Sequence, residues 1–180
     1  MPRDAAASKL PQNLSGSVHD SRDGVDKSLW ARRGAVLLMA VVPVLALLNM
    51  FGQSAHSTRT STDAATLAID SPERVRGGLT FTTVITITPR ADLKNATLRL
   101  DGGWFRGMTY NGLHPQPDSE SSSGRWQDYE YGDLSAGQPF SIFISWQANP
   151  TNVGRHNQDV ALLADGQEVA TAHRSITVFP

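Results

Sequence analysis

The stretch GGLTFTTVITITPR, residues 77–90, decides the fold. Its large apolar residues Leu79, Phe81, Ile85 and Ile87 fall on one side of an extended chain, and most of its threonines fall on the other. A period of two with many β-branched residues is typical of a strand that buries one face. The stretch therefore predicts a strand that lies over a hydrophobic core.

The same alternation recurs further along the chain, in ATLRLD and in PFSIFISWQ. The apolar positions are Ala96, Leu98 and Leu100 in the first stretch, and Phe140, Ile142, Ile144 and Trp146 in the second. Further strands are predicted at 66–70, 126–131, 158–164 and 169–178, with Gly, Pro, Asn and Asp marking the turns between them. About seven short strands with no helical period among them predict an all-β, immunoglobulin-like antiparallel β-sandwich over residues 64–180.

A second segment, GAVLLMAVVPVLALLNMF at Gly34 to Phe51, predicts a single transmembrane helix. Lys, Arg, Asp and Glu are absent from residue 34 through residue 58. At about 1.5 Å per residue, such a run covers roughly 27 Å, close to the ~30 Å thickness of the hydrocarbon core of a bilayer. A cleaved signal peptide is the alternative, but its apolar core is usually shorter, and Gln53-Ser54-Ala55 is a poor cleavage site.

The charges that flank this segment predict its orientation. Lys27, Arg32 and Arg33 lie just before it, whereas Arg59 is the one basic residue in the twenty positions after it. By the positive-inside rule, the N-terminus is cytoplasmic and the C-terminal domain is extracytoplasmic, on a single-pass protein of the cytoplasmic membrane.

Two polar segments complete the predicted organisation. Residues 1–33 have few large apolar side chains and are predicted to be a disordered cytoplasmic tail. Residues 52–63, GQSAHSTRTSTD, are small and polar and are predicted to be a flexible stalk that reaches at most roughly 40 Å.

Composition argues against several classes of function. The formal net charge is −1, so the chain has no basic excess with which to neutralise a nucleic-acid backbone. It contains no cysteine, which excludes disulfides, thiolate metal sites and a cysteine nucleophile. Zinc-type histidine spacing, a nucleophile elbow and phosphate- or dinucleotide-binding loops do not occur either. We therefore expect no enzyme and no cofactor; a site assembled from dispersed Asp, Glu and His residues is the alternative.

Two groups of residues are candidates for binding. Aromatic residues in or beside glycine-rich turns can stack on sugars or anchor a protein: Trp104, Phe105, Tyr110, Trp126 and Tyr129. The loop NPTNVGR offers polar side chains between two strands: Asn149, Asn152 and Arg155. Both groups also have a purely structural interpretation, because aromatic residues can close the ends of a sandwich and Asn, Pro and Gly suit a shaped loop.

Several segments carry a resemblance. The apolar segment together with SPERVRGGLTFTTVITI, LDGGWFRGMTYN, NPTNVGR and RSITVFP resembles uncharacterised single-pass membrane proteins of actinobacteria. The resemblance implies a membrane-anchored, immunoglobulin-like outer domain. It implies no ligand and no activity.

The predicted function is that of a non-enzymatic accessory or interaction protein. One anchor, a short stalk and an outer sandwich suit the binding of another envelope protein or an integral membrane protein. A cell-wall glycan is the alternative ligand, with Trp104, Phe105, Trp126 or Tyr129 as the stacking residues.

Overall fold

The computed structural model describes residues 20–48 and 55–180, and the chain divides into two compact units, one helical and one built of strands. The helical unit holds α1, Asp20–Leu47. Within it, Leu29–Leu47 has a mean hydropathy of 1.6 and none of it is buried, so this helix is long and apolar enough to cross a membrane.

The helix begins earlier than the sequence predicts. Residues 20–33 are helical, so the prediction of a disordered tail is wrong for them. Adding residues to an existing helix is far easier than nucleating a new one, and the apolar segment provides the helix that is extended. Residues 1–19, and residues 49–51 of the predicted transmembrane segment, lie outside the described residues.

The described part of the second unit, residues 55–180, contains thirteen strands and one short 3₁₀ turn at Gly102–Trp104. In chain order the strands are β1 Ala55–Ser61, β2 Ala65–Pro72, β3 Arg74–Arg76, β4 Thr80–Pro89, β5 Thr97–Asp101, β6 Met108–His114, β7 Ser119–Ser123, β8 Trp126–Glu130, β9 Phe140–Ala148, β10 Gly154–Asn157, β11 Val160–Ala164, β12 Gln167–Ala172 and β13 Ser175–Phe179.

These strands form an immunoglobulin-like sandwich, which confirms the predicted fold class. One sheet has the order β1-β2-β4-β9-β6, and the opposite side is built from β12-β11-β5-β8-β7 and β10-β13-β3. The last two groups share one long hairpin, because β11 pairs with β12 and β10 pairs with β13. After β2 the chain leaves the first sheet, and β3 pairs in parallel with β13. Pairing is antiparallel between the other neighbouring strands.

Strand β4 buries the face that its sequence predicts. Phe81, Ile85 and Ile87 belong to the core. Thr83 is buried on the same face, and its hydroxyl is hydrogen-bonded to the Ser71 hydroxyl at 2.8 Å. Leu79 is the exception, because it precedes the strand in a turn and is 47% exposed. The alternation of β5 and β9 is likewise observed, with Leu98, Leu100, Ile142 and Ile144 fully buried.

The predicted stalk is replaced by a strand over most of its length. Residues 55–61 form β1, which pairs with β2 from Ala55 opposite Pro72 to Ser61 opposite Thr66. An edge strand with exposed side chains needs no apolar alternation, and a charged residue such as Arg59 protects its free edge from further pairing. The sandwich thus includes residues 55–61, which the sequence assigns to the stalk; residues 52–54 lie outside the described residues.

Candidate binding groove beside strand β10

Trp104 and its neighbours form an aromatic cluster inside the domain. Trp104 and Trp146 are both fully buried and stack with ring centroids 5.6 Å apart. Phe105 and Tyr110 meet the Trp146 ring edge-on at 5.4 and 5.7 Å. The Trp104 indole donates a 3.2 Å hydrogen bond to the Asp159 carbonyl. This cluster closes one end of the core.

The other predicted aromatic residues are also partly or wholly covered. Tyr129 is 3% exposed, and burial raises its pKa above the ordinary tyrosine value. Trp126 is half-buried, with the Arg125 guanidinium 4.7 Å from its ring. Trp104 and Tyr129 therefore cannot stack on a sugar, and this part of the predicted binding surface is corrected. Phe105 is half-buried and Tyr110 is 38% exposed, and contacts through them stay a prediction.

Two asparagines in the loop between β9 and β10 hold it in place through hydrogen bonds. The Asn149 N–H donates to the Gly107 carbonyl at 3.0 Å, and the Asn152 side chain donates to the Arg106 carbonyl at 3.0 Å. Pro150 lies against Gly77, where an added Cβ would be 3.0 Å from the proline Cα. These contacts give Asn149 and Asn152 a structural role.

Two cavities open where this loop leads into β10. They have volumes of about 490 and 480 Å³ and share Arg155 and Asn157. We call the first the arginine groove; its lining residues are Asp101, Gly102, Gly103, Arg106, Arg125, Arg155, His156 and Asn157.

The arginine groove carries a positive charge. Its three arginines and one aspartate leave a net formal charge of 3 − 1 = +2 when His156 is neutral. Asp101 is already engaged, since it pairs with Arg125 at 3.2 Å and accepts a 2.7 Å hydrogen bond from the Gly103 N–H. Arg155 Nε donates to the Ser175 hydroxyl at 2.9 Å. Neither Arg106 nor Arg155 pairs with a carboxylate among the described residues.

His156 adds a polar atom without a partner. Its Nε2 is buried and makes no hydrogen bond within residues 20–48 and 55–180. A buried polar atom in this state costs about 1–3 kcal/mol relative to one that is hydrogen-bonded. The groove therefore holds two arginines without carboxylate partners, and one of its lining residues carries a buried polar atom without a hydrogen bond.

The second cavity differs in charge. Its lining includes two arginines, Arg155 and Arg174, and two carboxylates, Glu73 and Asp159, so that its cations and anions balance. The carboxylates face histidines: Asp159 lies 3.2 Å from His173, and Glu73 lies 3.3 Å from His56. Of these two cavities, the arginine groove is therefore the one with a cationic excess.

The backbone beside the groove is an unpaired strand edge. Strand β5 pairs with β11 as far as Leu100 opposite Val160, and the Asp101 N–H still donates to the Asp159 carbonyl. The chain then turns away through Gly102–Trp104, so among residues 20–48 and 55–180 β10 pairs with β13 alone. Gly103 lets this turn lie against the end of β10, because an added Cβ would overlap the Asn157 carbonyl oxygen.

Of the residues that the sequence predicts to bind a ligand, Arg155 alone lines the arginine groove. Arg106, Arg125 and His156 were missed. Arg106 precedes Gly107, Arg125 follows Gly124, and His156 lies two residues after Gly154. Basic residues close to several glycines are a weak signal until the fold brings them together. Within the described residues, no group of three or more His, Asp or Glu side chains is placed to hold a metal ion.

No family model and no curated protein matches the chain. Solved structures with a similar strand arrangement include CaCohA2 from Clostridium acetobutylicum, at 12% identity over 62% of this chain and 88% of that one, with a TM-score of 0.44. A cohesin module from a Clostridium perfringens family 33 glycoside hydrolase matches at 8% identity over 70% and 97%, with a TM-score of 0.40. The CARDB domain of a Pyrococcus furiosus protein in complex with di-metal ions matches at 8% identity over 66% and 97%, with a TM-score of 0.38. Likeness at this level supports no statement about ligand or activity.

Proposed function

We propose that the protein is a membrane-anchored, non-enzymatic interaction protein that presents its sandwich outside the cytoplasmic membrane and binds another envelope or integral membrane protein. The observation that carries the proposal is the apolar helix: Leu29–Leu47 has no buried residue. Apolar side chains left in water lose roughly 25 cal/mol for every Å² that could be buried. A bilayer buries them all without a protein partner.

The flanking charges support the proposed orientation. Lys27, Arg32 and Arg33 lie in the first part of α1, on the side of the apolar segment that the positive-inside rule assigns to the cytoplasm. Strand β1 begins at Ala55, so seven residues, 48–54, separate it from the end of α1, fewer than the twelve of the predicted stalk. An apolar helix followed by one sandwich is also what the resemblance to actinobacterial single-pass membrane proteins implies.

The surface of the sandwich favours a protein over a glycan. Of the aromatic residues predicted to stack on a glycan, Trp104 and Tyr129 are buried, and Arg125 lies over one face of Trp126. The cavities beside β10 instead present guanidinium groups, which recognise carboxylates through paired hydrogen bonds.

The test is crosslinking in the membrane followed by affinity purification of the full-length protein. A matched variant replaces Gly34–Leu47 with an unrelated apolar helix of equal length. Recovery of the same membrane or envelope protein with both forms is the expected result. Recovery with the native helix only would place recognition in the helix and contradict a role for the sandwich. Release of a shortened, monomeric protein into the medium would identify a cleaved signal sequence and overturn the proposal.

A further inference from the structure

We propose that the arginine groove binds an extended acidic segment of a protein partner, which pairs with the free edge of β10 and places its carboxylates against Arg106, Arg125 and Arg155. This inference rests on the proposed function, because it supplies the contact through which the sandwich would hold its partner. Three observations carry it: the charge of the groove, the unpaired edge and the unsatisfied histidine.

The charge of the groove selects an anion. Arg106 and Arg155 have no carboxylate partner among the described residues, and Arg125 shares Asp101 with a backbone N–H. Arginine presents a planar set of donors that matches two carboxylate oxygens at once, so guanidinium groups that converge on one cavity favour carboxylates placed along one chain.

The unpaired edge selects an extended peptide. The turn at Gly102–Trp104 ends the ladder that β5 makes with β11, and the groove occupies the place that a continued strand would fill beside β10. A peptide strand can extend the sheet there through main-chain hydrogen bonds, as in other cases of β-strand addition. Gly103 covers the Asn157 end of the edge, so pairing would use Gly154 to His156.

His156 gives a further reason for a carboxylate to bind in the groove. His156 is one of the residues that line the groove, and its Nε2 is buried and lacks a hydrogen bond within the described part of the chain. If binding turned the ring towards the groove, a carboxylate of the bound segment would accept a hydrogen bond from this nitrogen and remove the penalty of leaving it unpaired. A phosphate polymer could also meet the arginines, but it has no N–H and C=O groups with which to pair with β10.

The probe is an acetylated and amidated peptide of four Glu-Thr repeats, in which every glutamate falls on one face of an extended strand. Its binding to the full-length protein in nanodiscs is measured by calorimetry beside two relatives, a Gln-Thr peptide of the same length and an N-methylated Glu-Thr peptide that cannot pair with a strand edge. Inorganic phosphate is titrated separately. The protein variants are Arg106→Gln, Arg125→Gln and Arg155→Gln, with Arg90→Gln as the matched control, since Arg90 is exposed and lines neither cavity.

We expect the Glu-Thr peptide to bind and the other two peptides not to bind. Each groove variant should weaken binding about tenfold or more, because each removes a charge-assisted contact, while Arg90→Gln leaves the affinity unchanged. Absence of binding, or equal affinity in all variants, would overturn the inference. Equal binding of the N-methylated peptide would overturn pairing with β10. Phosphate binding that needs the same arginines, without peptide binding, would assign the groove to a phosphate ligand instead.

The crosslinking experiment separates this inference from the proposed function. If the triple variant Arg106→Gln/Arg125→Gln/Arg155→Gln still crosslinks to the same membrane partner with unchanged yield, the interaction role stands and the groove is not its site. Loss of that crosslink in the triple variant, with retention in Arg90→Gln, would support both.

Discussion

Arg174 lies where the chain leaves one sheet for the other. It is 8% exposed, and its Nη2 donates to the carbonyls of Ser71 and Pro72 at 3.3 and 3.0 Å, at the end of β2. Its Nη1 donates to Gln158 Oε1 at 2.9 Å, and the guanidinium lies 5.1 Å from the Trp104 ring. Burial lowers the pKa of Arg174 to about 10, which still leaves it charged at neutral pH. One buried cation thus joins the crossover to the aromatic cluster.

We expect Arg174→Met to destabilise the domain by about 2–4 kcal/mol, because it leaves two carbonyls and an amide oxygen buried without donors. The measurement is chemical unfolding in detergent solution, followed by tryptophan fluorescence. Arg90→Met is the control, since Arg90 is exposed and its loss should change the free energy of unfolding by less than about 0.5 kcal/mol. A similar small change for both variants would show that the Arg174 contacts add little.

Tyr131 predicts a pH dependence. Its hydroxyl is buried and has no hydrogen-bonding partner among the described residues, and the ring packs edge-on against Phe140 at 5.1 Å. Burial raises the pKa of Tyr131, and nearby Tyr110, Tyr129 and Glu120 raise it further. Because the folded-state pKa is above the unfolded value of about 10, this contribution to stability is complete below pH 10. It is lost as pH rises from there towards the folded-state pKa.

We therefore expect Tyr131→Phe to fold at least as stably as the wild type at pH 7 and to lose less stability above pH 10. Removing a buried hydroxyl that has no partner is close to neutral or favourable by about 1 kcal/mol. Unfolding midpoints measured from pH 8 to 11 would show the two curves separating above pH 10. The lowered pKa of Arg174 makes the free energy of unfolding rise with pH in this range. This effect is the same in the wild type and in Tyr131→Phe, so the difference between their curves reports on Tyr131. Parallel curves would contradict the prediction.

At the scale of elements, Gly107 and the loop after β9 depend on each other. Gly107 has φ +65°, and an added Cβ would overlap the side chain of Asn152, which donates to the Arg106 carbonyl. Gly124 provides a matched comparison, because it has φ +61° with open space where its Cβ would lie. The two glycines share the same backbone constraint and differ in what surrounds them.

We expect Gly124→Ala to lower the free energy of unfolding by about 1 kcal/mol through left-handed backbone strain alone. Gly107→Ala should lower it by about 2–3 kcal/mol, because the displaced asparagine also loses its hydrogen bond. In an Asn152→Ala background, Gly107→Ala should fall back to the value for Gly124→Ala. Equal effects in the two backgrounds would mean that Asn152 does not hold the loop through this contact.

The strands show which elements a sequence can predict. Strands β4, β5 and β9 each bury one face, so period-two alternation predicts them. Strands β1 and β7 do not, because their side chains, as in SESSS of β7, are mostly exposed and carry no apolar pattern. What places them in the fold is the pairing of their backbone with β2 and β8, and that pairing depends on parts of the chain distant in sequence or on a turn.

The arginine groove is less predictable for the same reason. Arg106, Arg125 and Arg155 come from three segments of the chain. They meet only because β5 ends at Asp101, whereas β10 lies beyond that end of β5. Sequence favours Arg155 since it lies in a distinctive loop, but nothing local relates it to the other two. Trp104 is the converse case: glycines on its N-terminal side resemble an exposed turn, whereas stacking on Trp146 makes it part of the core.

At the scale of the whole molecule, the proposed topology can be tested with a chain that contains no cysteine. Ser8→Cys puts a single thiol on the N-terminal side of the apolar helix, and Ser122→Cys puts one in the exposed strand β7. We expect a membrane-impermeant maleimide to label Ser122→Cys in intact spheroplasts, because the positive-inside rule places the sandwich outside. Ser8→Cys should be labelled only after lysis, and the cysteine-free parent should give no signal in either state. Labelling of Ser8→Cys before lysis would invert the topology. A labelled Ser122→Cys protein that lacks its N-terminus would show that the helix is removed, and recognition would then depend on the sandwich without an anchor.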